Sequence, residues 1–296
     1  MRPISNRKVF IAAALALILG GAAVFAFPWV SSWWNARQSA EMVAQYEAAG
    51  ARLSAADVDE QFELARAYNE KVSGLAPYDP FTQKEPVPFP EYNDILMADA
   101  SGVMASLEVP AIGLTLPVYH GVADAALERG AGHMPTTALP VGGAGTHCVI
   151  VGHNGLPSRE LFTHLDKLEV GDGFILHVLG RSLGYRVETI FVTEPEETKP
   201  LLPVVGVDYC SLVTCTPYGI NSHRLILRGL RDDSVITEQI ADRRGPFAGG
   251  LTALQRAGLI AAAAVAAALA LVWFFTRRRK QTQAQTRTPE SGAPDA

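Results

Sequence analysis

Two long apolar runs limit the folds open to this chain of 296 residues more than any other feature of its sequence. Residues 9–27 and residues 257–275 contain no charged side chain, and each run is long enough to cross the ~30 Å hydrocarbon core of a bilayer as a helix. A cleaved signal peptide is the alternative for the first run, but a small-x-small cleavage site is poorly formed around residues 24–26. A buried Ala-rich helix is the alternative for the second run. We therefore expect two membrane-spanning helices.

Basic residues flank both apolar runs on the side away from the middle of the chain. Arg2, Arg7 and Lys8 precede the first run, and residues 277–280, all of them basic, follow the second. Because Lys and Arg are enriched on the cytoplasmic side of membrane helices, both termini are expected in the cytoplasm. The expected topology is two-pass, with cytoplasmic segments at 1–8 and 276–296, transmembrane helices at 9–27 and 257–275, and an extracellular middle.

The charge of the middle segment excludes some partners. Residues 35–250 contain 16 lysines and arginines against 28 aspartates and glutamates, a net charge of −12. Nucleic acid is not an expected partner, because its binding depends on basic contacts to phosphate. The histidines and cysteines also lack the His-Glu-x-x-His and Cys-x-x-Cys spacings of common metal sites. A zinc enzyme is therefore not expected.

The segment outside the membrane begins with helical patterns and continues into a proline-rich stretch. Residues 35–75 are expected to form N-terminal helices, and Ser54 with Asp57 matches a capping box that opens the second of them. Residues 76–90 contain five prolines, which exclude a regular helix or a central strand. This stretch is predicted to be a long loop or linker, and long loops in compact domains often carry function.

The pattern from about 101 to 230 is mainly β. Short alternating runs separated by Gly and Pro predict a barrel or a sandwich. One stretch, residues 159–167, is instead expected to be helical, and residues 231–256 are expected to form a linker back to the membrane. The predicted strands are 104–109, 114–119, 147–151, 174–179, 185–192, 211–215 and 224–230.

Three residue types suited to acyl transfer lie at strand ends. Cys215 ends one predicted strand, Arg224 begins its hairpin partner, and His153 follows another strand directly. Imidazole and guanidinium groups both favour the thiolate form of a nearby cysteine. The histidine could move protons at both half-reactions, and the arginine could donate to the oxyanion of a tetrahedral intermediate. Each residue alone is a weak signal, since strand-end cysteines are usually structural.

The chain has three cysteines, so at least one thiol is free. Cys210 and Cys215 are five residues apart on one predicted strand, so they point to opposite faces and cannot pair there. A bond between Cys148 and Cys210 stays open, although both residues are more readily interpreted as small buried hydrophobic side chains.

The motifs around these residues resemble those of the sortases, most closely class C, the pilin-polymerising sortases of Gram-positive bacteria. The family signature Thr-Leu-x-Thr-Cys is similar to Ser-Leu-Val-Thr-Cys at 211–215, with Ser in the first position. The class C continuation is matched by Cys-Thr-Pro-Tyr-Gly-Ile-Asn-Ser-His-Arg-Leu at 215–225. The histidine region and upstream region also match, with Gly-His at 152–153, Gly-Leu-Pro at 155–157, Leu-Phe-Thr at 161–163, Gly-Ala-Gly-His at 130–133 and Leu-Pro-Val-Gly-Gly at 139–143.

The resemblance implies a mainly β fold, an eight-stranded sortase barrel over residues 91–230 with the N-terminal helices and two transmembrane helices. It implies that Cys215, His153 and Arg224 are catalytic and that Thr214 and Leu212 bind substrate. It implies cleavage of an LPxTG-type sorting signal, a thioester acyl-enzyme, and transfer to a lysine amine of a pilin subunit. The implied partners are therefore pilin subunits at the cell membrane, with no cofactor and no metal.

Class C sortases carry a lid with an Asp-Pro-aromatic motif, and Asp79-Pro80-Phe81 within residues 76–90 is similar to it. The resemblance implies that Asp79 could pair with Arg224 and that Phe81 could cover Cys215. The alternative is an ordinary Asp-Pro turn with Phe81 packed on the barrel. One departure is Asn154, where the class often has Arg. The alternatives are a housekeeping sortase that anchors proteins to peptidoglycan, a non-catalytic sortase-like wall-binding module, and a thiol protease that hydrolyses its acyl-enzyme.

Overall fold

The computed structural model of the protein describes residues 6–83, 87–156 and 159–243. A long helix and a shorter one precede a β-barrel, and one further helix follows it. The helices are α1 Asn6–Gly50, α2 Ala55–Val72, the one-turn α3 Asp124–Leu127 and α4 Ser234–Arg243. The strands are β1 Val103–Val109, β2 Leu114–His120, β3 Ala131–His133, β4 Thr146–Val151, β5 Gly173–Val178, β6 Arg181–Thr193, β7 Asp208–Thr216 and β8 His223–Arg231.

Helix α1 joins the first predicted membrane span to the first helix of the folded domain. Nine of its large apolar side chains are exposed: Leu17, Ile18, Leu19, Val24, Phe25, Phe27, Val30, Trp33 and Trp34. Further along, Tyr46 is buried and its hydroxyl donates to the Met104 carbonyl and accepts from the Leu179 amide at 3.2 Å. By length and composition α1 is the one candidate membrane span among the described residues, and a signal sequence would satisfy the same criteria. The second predicted span, 257–275, lies outside the described residues.

The capping box predicted for α2 is present. The Asp57 amide donates to the Ser54 hydroxyl at 3.2 Å, and the Ser54 amide donates to the Asp57 carboxylate at 3.1 Å. These two bonds satisfy backbone donors that every helix start leaves without an intrahelical partner. Helix α2 then buries a face that includes Phe62, Ala65 and Tyr68 in the hydrophobic core of the barrel. The prediction of N-terminal helices is confirmed.

The eight strands close into a barrel in the order β1-β2-β3-β4-β7-β8-β6-β5. Two of the pairings are parallel, β2 with β3 and β4 with β7, and the others are antiparallel. This arrangement confirms the eight-stranded barrel. Strand β3 was not among the strands predicted from the sequence, because three residues are too short to show an alternating pattern.

Two local predictions were wrong. Residues 159–167 do not form a helix; only Leu165–Lys167 forms a single 3-10 turn. The predicted linker at 231–256 begins with a regular helix, α4, whose Val235 is buried against Gly173 of β5. The rest of that linker lies outside the described residues.

The topology brings three chain segments to one rim of the barrel. Strands β4 and β7 run in the same direction, so their carboxyl ends lie side by side. Strand β8 runs antiparallel to β7 and therefore begins at that rim. Residues at the ends of β4 and β7 and at the start of β8 are thus neighbours.

Candidate active site

Cys215 and Arg224 face each other across two neighbouring strands. In the antiparallel ladder between β7 and β8, Cys215 pairs with Arg224, and Thr214 pairs with Leu225. Cys215 is the last residue but one of β7, where a side chain can reach the rim. Its exposed fraction is only 6%. The hairpin spacing that placed Cys215 close to Arg224 in the sequence analysis is therefore confirmed.

The loop that follows β4 places His153 at the same rim. Val151 pairs with Val213 in the parallel ladder, so two further residues along each strand lead to His153 and Cys215. The Gly152 amide donates to the Val213 carbonyl at 3.0 Å. The side-chain amide of Asn154 donates to the carbonyl of Cys215 at 2.8 Å. The histidine loop is thus attached directly to the strand end that carries the cysteine.

Two glycines in this loop allow close packing. A Cβ on Gly152 would lie 2.7 Å from the Phe162 ring, so only glycine fits without a shift of that ring. Gly155 has a φ of +82°, and the Tyr218 ring lies where its side chain would project. Tyr218 belongs to the turn between β7 and β8. The contact therefore fixes the histidine loop against the hairpin of Cys215 and Arg224.

The lid loop, residues 76–90, contacts this rim through Asp79. The carboxylate of Asp79 accepts two hydrogen bonds from Arg224, at 2.6 Å from Nε and 2.8 Å from Nη2. Both side chains are almost fully buried. Thr82 also donates to Asp79, from its hydroxyl at 2.6 Å and its amide at 3.1 Å. The fork-like geometry of the ion pair is the strong form of an arginine–carboxylate contact.

The Phe81 ring contacts both His153 and Arg224. Its ring centroid is 5.7 Å from that of His153, and the Arg224 guanidinium carbon lies 5.1 Å from the same ring. Pro80 fixes its own φ and restricts Asp79, so the motif presents two side chains on a stiff backbone. In this conformation the Nε and Nη2 atoms of Arg224 donate to Asp79 of the lid loop. Its Nη1 atom donates to the Asn221 and His223 carbonyls at 3.1 and 3.0 Å.

Burial in this closed arrangement disfavours charge on both the thiol and the imidazole. Burial raises the pKa of Cys215, Arg224 opposes that effect, and Asp79 adds to it. Burial lowers the pKa of His153, while the more distant Asp124 and Glu128 act in the opposite direction. Burial alone would raise the pKa of Asp79, but hydrogen bonds from Arg224 and Thr82 outweigh it and leave that pKa lowered. In the closed site, burial therefore favours the neutral forms of Cys215 and His153, while hydrogen bonds favour the charged form of Asp79.

The structure does not place Leu212 and Thr214 where substrate could contact them. Leu212 is fully enclosed in the hydrophobic core. Thr214 is also buried, and its hydroxyl donates to the Gly152 carbonyl at 2.7 Å. Assigning these residues to substrate binding is thus a prediction that their burial contradicts. Thr214 instead connects the cysteine strand to the histidine loop.

The remaining thiols lie in the barrel wall. Cys148 and Cys210 pair in register between β4 and β7 and hydrogen-bond each other, and both are free thiols that are fully buried. Neither belongs to the rim with Cys215. In the described part of the chain, no three His, Cys, Asp or Glu side chains are grouped so that they could hold a metal ion.

Sequence reasoning missed the roles of Asn154 and Thr82. Asn154 was noted only as a departure from the class, and its bond to the Cys215 carbonyl depends on a parallel strand pairing that no local pattern reveals. Thr82 lies three residues after Asp79, and that spacing is a signal for a side chain that bonds back to an Asp carboxylate.

The barrel and the arrangement of its rim define a known class of β-barrel enzyme. A family model described as Sortase domain matches residues 107–232. Sortase C of Streptococcus pneumoniae is 40% identical, with a TM-score of 0.60, covering 65% of this chain and 96% of that one. Sortase C1 of GBS Pilus Island 1 is 37% identical, with a TM-score of 0.60, covering 66% and 92%. Sortase C-1 from Actinomyces oris is 40% identical, with a TM-score of 0.55, covering 59% and 98%.

The chain belongs to the sortase family, and these structural neighbours are class C sortases. The resemblance drawn from the motifs is therefore confirmed, and the protein is a sortase enzyme. A comparison with curated protein sequences gave no match.

Proposed function

We propose that this sortase is a cysteine transpeptidase that cleaves an LPxTG-type sorting signal and transfers the product to a lysine amine of a pilin subunit. The observation that carries the proposal is the pairing of Cys215 with Arg224 at a barrel rim that His153 also reaches. The pilin part of the proposal is supported by the neighbours. One is named from a pilus island, and the structure of another is described in terms of pilin substrate specificity.

In the first half-reaction, which takes place in the open state, Cys215 passes its thiol proton to His153, and the resulting thiolate attacks the carbonyl carbon of the Thr–Gly bond in the sorting signal. His153 donates a proton to the leaving amine, which a poor leaving group requires. Arg224 donates to the oxygen of the tetrahedral intermediate. A fixed donor of this kind contributes about 3–4 kcal/mol of transition-state stabilisation. The product is a thioester between Cys215 and the threonine carbonyl.

In the second half-reaction, a neutral lysine amine attacks the thioester carbonyl. The carbon–nitrogen bond forms, the carbon–sulfur bond breaks, and Cys215 is released. His153, now neutral, accepts the proton that the amine loses. Water in place of the amine would give hydrolysis, so the enzyme must favour the amine by position and by local concentration.

The lid loop controls this chemistry in the proposed function. Arg224 cannot serve an oxyanion with the same donors that bind Asp79, and burial raises the pKa of Cys215 and so favours its thiol form. Substrate must therefore bind an open state, and its apparent affinity is reduced by the fraction of molecules that are open. Asp79 and Phe81 are the side chains that oppose opening.

The proposed location is the cell membrane, with the barrel outside. Helix α1 supports an N-terminal anchor, because large apolar side chains such as Leu17, Phe25 and Trp34 are exposed on it. The topology is tested with wall-free cells: external protease should reach the barrel, while a tag after residue 296 stays protected. Cleavage of that tag by external protease would refute the two-pass arrangement.

The reaction is tested by mixing the purified enzyme with an LPxTG peptide and a lysine-bearing pilin domain. Mass spectrometry should find first a thioester on Cys215 and then an isopeptide bond. Transfer to a peptidoglycan amine instead of pilin lysine would identify a housekeeping sortase. Failure to form any thioester would identify a binding module, and release of free acid alone would identify a thiol protease.

A further inference from the structure

Cys148 and Cys210 face each other in the wall of the barrel, and the mechanism proposed above uses neither of them. They pair in register across the parallel ladder of β4 and β7. Neighbouring strands lie about 4.7–4.9 Å apart, which falls within the Cα separation of about 4.4–6.8 Å found in disulfides. In-register neighbours project from the same face of a sheet, and both side chains belong to the same core cluster. The backbone therefore has the spacing that a disulfide requires.

The two side chains contact each other and are shielded from solvent. Cys148 is 3% exposed and Cys210 is fully buried. The two thiols hydrogen-bond each other, and Cys148 is also hydrogen-bonded to His133. A bond between the two sulfurs would remove their weak S–H donors and leave an apolar group in an apolar core. The core therefore accommodates the oxidised pair as well as the reduced one.

The third cysteine of the chain is separated from this pair. Cys215 lies at the rim, where it pairs with Arg224 of β8. It is five positions after Cys210 on β7 (215 − 210 = 5), so its side chain projects from the opposite face of the strand. All three cysteines are free thiols in the structure. The barrel thus provides Cys148 with one partner and keeps the nucleophile apart from both.

We propose that Cys148 and Cys210 form a disulfide in the exported enzyme, which bonds β4 to β7 and leaves Cys215 as the free thiol. The proposal rests on the extracellular location of the barrel proposed above, because disulfides form and persist in oxidising environments outside the cytoplasm. The oxidant is itself a disulfide, carried by a small thiol compound or by a thiol-oxidising protein. The two bonded strands are those that end next to His153 and at Cys215.

The bond forms by two successive thiol–disulfide exchanges. The Cys148 thiolate attacks one sulfur of the oxidant, which releases one thiolate and leaves a mixed disulfide on Cys148. Cys210 then loses its proton and attacks the Cys148 sulfur, so the second thiolate of the oxidant leaves. Two protein thiols are oxidised, the oxidant is reduced to two thiols, and these take up the two protons. Because the native barrel buries both cysteines, the exchange takes place during folding, before the core is closed.

The first test counts thiols in the full chain carrying Cys215→Ala, in which Cys148 and Cys210 are the two cysteines left. The protein is exported by a bacterial host and purified in detergent without reductant. After denaturation it should react with no thiol reagent, and its intact mass should rise by two hydrogens when a reductant is added. The wild-type chain should present one reactive thiol before reduction and all three afterwards.

The second test measures thermal unfolding of the full chain with and without reductant. The disulfide should raise the unfolding midpoint by about 4–16 °C, because it joins positions 62 apart (210 − 148 = 62) and so restricts the unfolded chain. Cys148→Ala is the matched control, and its midpoint should not depend on reductant. The bond lies five residues before Cys215, about 16 Å along the strand. Oxidised and reduced wild type should therefore form the thioester with an LPxTG peptide at rates within about twofold.

Two reactive thiols in the exported Cys215→Ala chain would overturn the proposal, and a further step identifies the reason. The protein is incubated with oxidised glutathione in denaturant and returned to native buffer. Formation of the bond only then would overturn the oxidising location of the barrel, whereas two thiols after this step would overturn the pairing of Cys148 with Cys210. A disulfide that includes Cys215 in the exported wild type would also overturn the pairing. Failure of the proposed reaction is recognised separately, because wild type would then form no thioester whatever its thiol count.

Discussion

The barrel rim and the lid loop meet at Arg224, but different interactions hold them. Cys215 and Arg224 are fixed by a ladder between two nine-residue strands, with core side chains on the inner face. The lid loop is irregular at this point, and Asp79 is the residue that binds Arg224 at the rim through two hydrogen bonds. The rim therefore fixes where the reacting groups are, whereas the lid loop determines when they can react.

This difference predicts two kinds of mutational effect. Changes at the rim should lower the rate and leave access to Cys215 unchanged. Changes in the lid loop should alter access to Cys215 and leave the barrel folded, because the ladder of β7 and β8 does not depend on the lid loop.

Cys215→Ala should abolish thioester formation and polymer assembly while the barrel still folds. The thiolate is the only group in the proposed mechanism that forms a covalent bond to the substrate. Mass spectrometry after incubation with an LPxTG peptide measures the effect, and circular dichroism checks the fold. Cys210→Ala, on the same strand but in the core, is the control and should retain capture. Covalent capture by Cys215→Ala would remove this residue from the mechanism.

His153→Ala and Arg224→Ala should each lower kcat/KM by about 10²–10⁴-fold, through loss of proton transfer and of oxyanion stabilisation respectively. Arg224→Lys should recover only part of the rate, because an ammonium lacks the planar fork of guanidinium. Steady-state kinetics with the LPxTG peptide measures these effects. A rate close to wild type in either alanine variant would show that the residue is not catalytic.

The parts of the site that local patterns could predict are those set by neighbouring residues. The turn between Cys215 and Arg224 is short, so strand alternation and turn residues were enough to predict their pairing. The same reasoning could not predict β3, whose three residues pair only because β2 and β4 lie on either side. It also gave no warning that Leu212 faces the core, because a fully buried strand shows no alternation of polar and apolar residues.

The lid contact depended on the family resemblance and not on local pattern. Asp79 and Arg224 are 145 residues apart in sequence, and nothing near either residue specifies the other. Composition predicted that residues 76–90 are irregular, which proline guarantees, but not where they lie on the barrel. Side chains that join distant segments, such as Asn154 to Cys215, are a property of the assembled barrel.

Asp79→Ala combined with Phe81→Ala should raise the alkylation rate of Cys215 at least about tenfold, since breaking a buried ion pair costs several kcal/mol. Removing the burial and the Asp79 charge should also lower the pKa of Cys215, so alkylation should reach its maximum at lower pH than in wild type. Hydrolysis of an isolated LPxTG peptide should rise, and thermal stability should fall modestly. The rate is read by peptide mapping, because Cys148 and Cys210 are also free thiols.

Equal alkylation rates in wild type and the double variant would mean that Asp79 and Phe81 do not gate the site.

The pKa of Asp79 also determines how closure of the lid loop depends on pH. The pKa of Asp79 is lowered in the closed state. The Asp79 carboxylate therefore stabilises the closed state at every pH above the ordinary pKa of an aspartate, and this stabilisation is lost as the pH falls through the lowered pKa. Protonation of Asp79 should therefore not open the lid loop between pH 5 and 8.

The smallest effect is expected at Thr82, which donates to Asp79. A change at Thr82 tests whether the Asp79–Arg224 pair is enough to hold the lid loop closed or also needs Thr82 to orient Asp79. Thr82→Val removes the hydroxyl that donates to the Asp79 carboxylate at 2.6 Å but leaves the backbone donor at 3.1 Å in place. Both bonds with Arg224 remain, so the closed state should lose about 1 kcal/mol, one net hydrogen bond. The alkylation rate of Cys215 should then rise about two- to fivefold, well below the double variant, with kcat for the acceptor step unchanged.

Thr115→Val is the matched control, since Thr115 is exposed on β2 and far from the lid loop in sequence. This variant should have the wild-type alkylation rate. An effect as large as that of the double variant would mean that Thr82, by orienting Asp79, determines closure. No effect beyond the control would mean that the Arg224 pair is sufficient by itself.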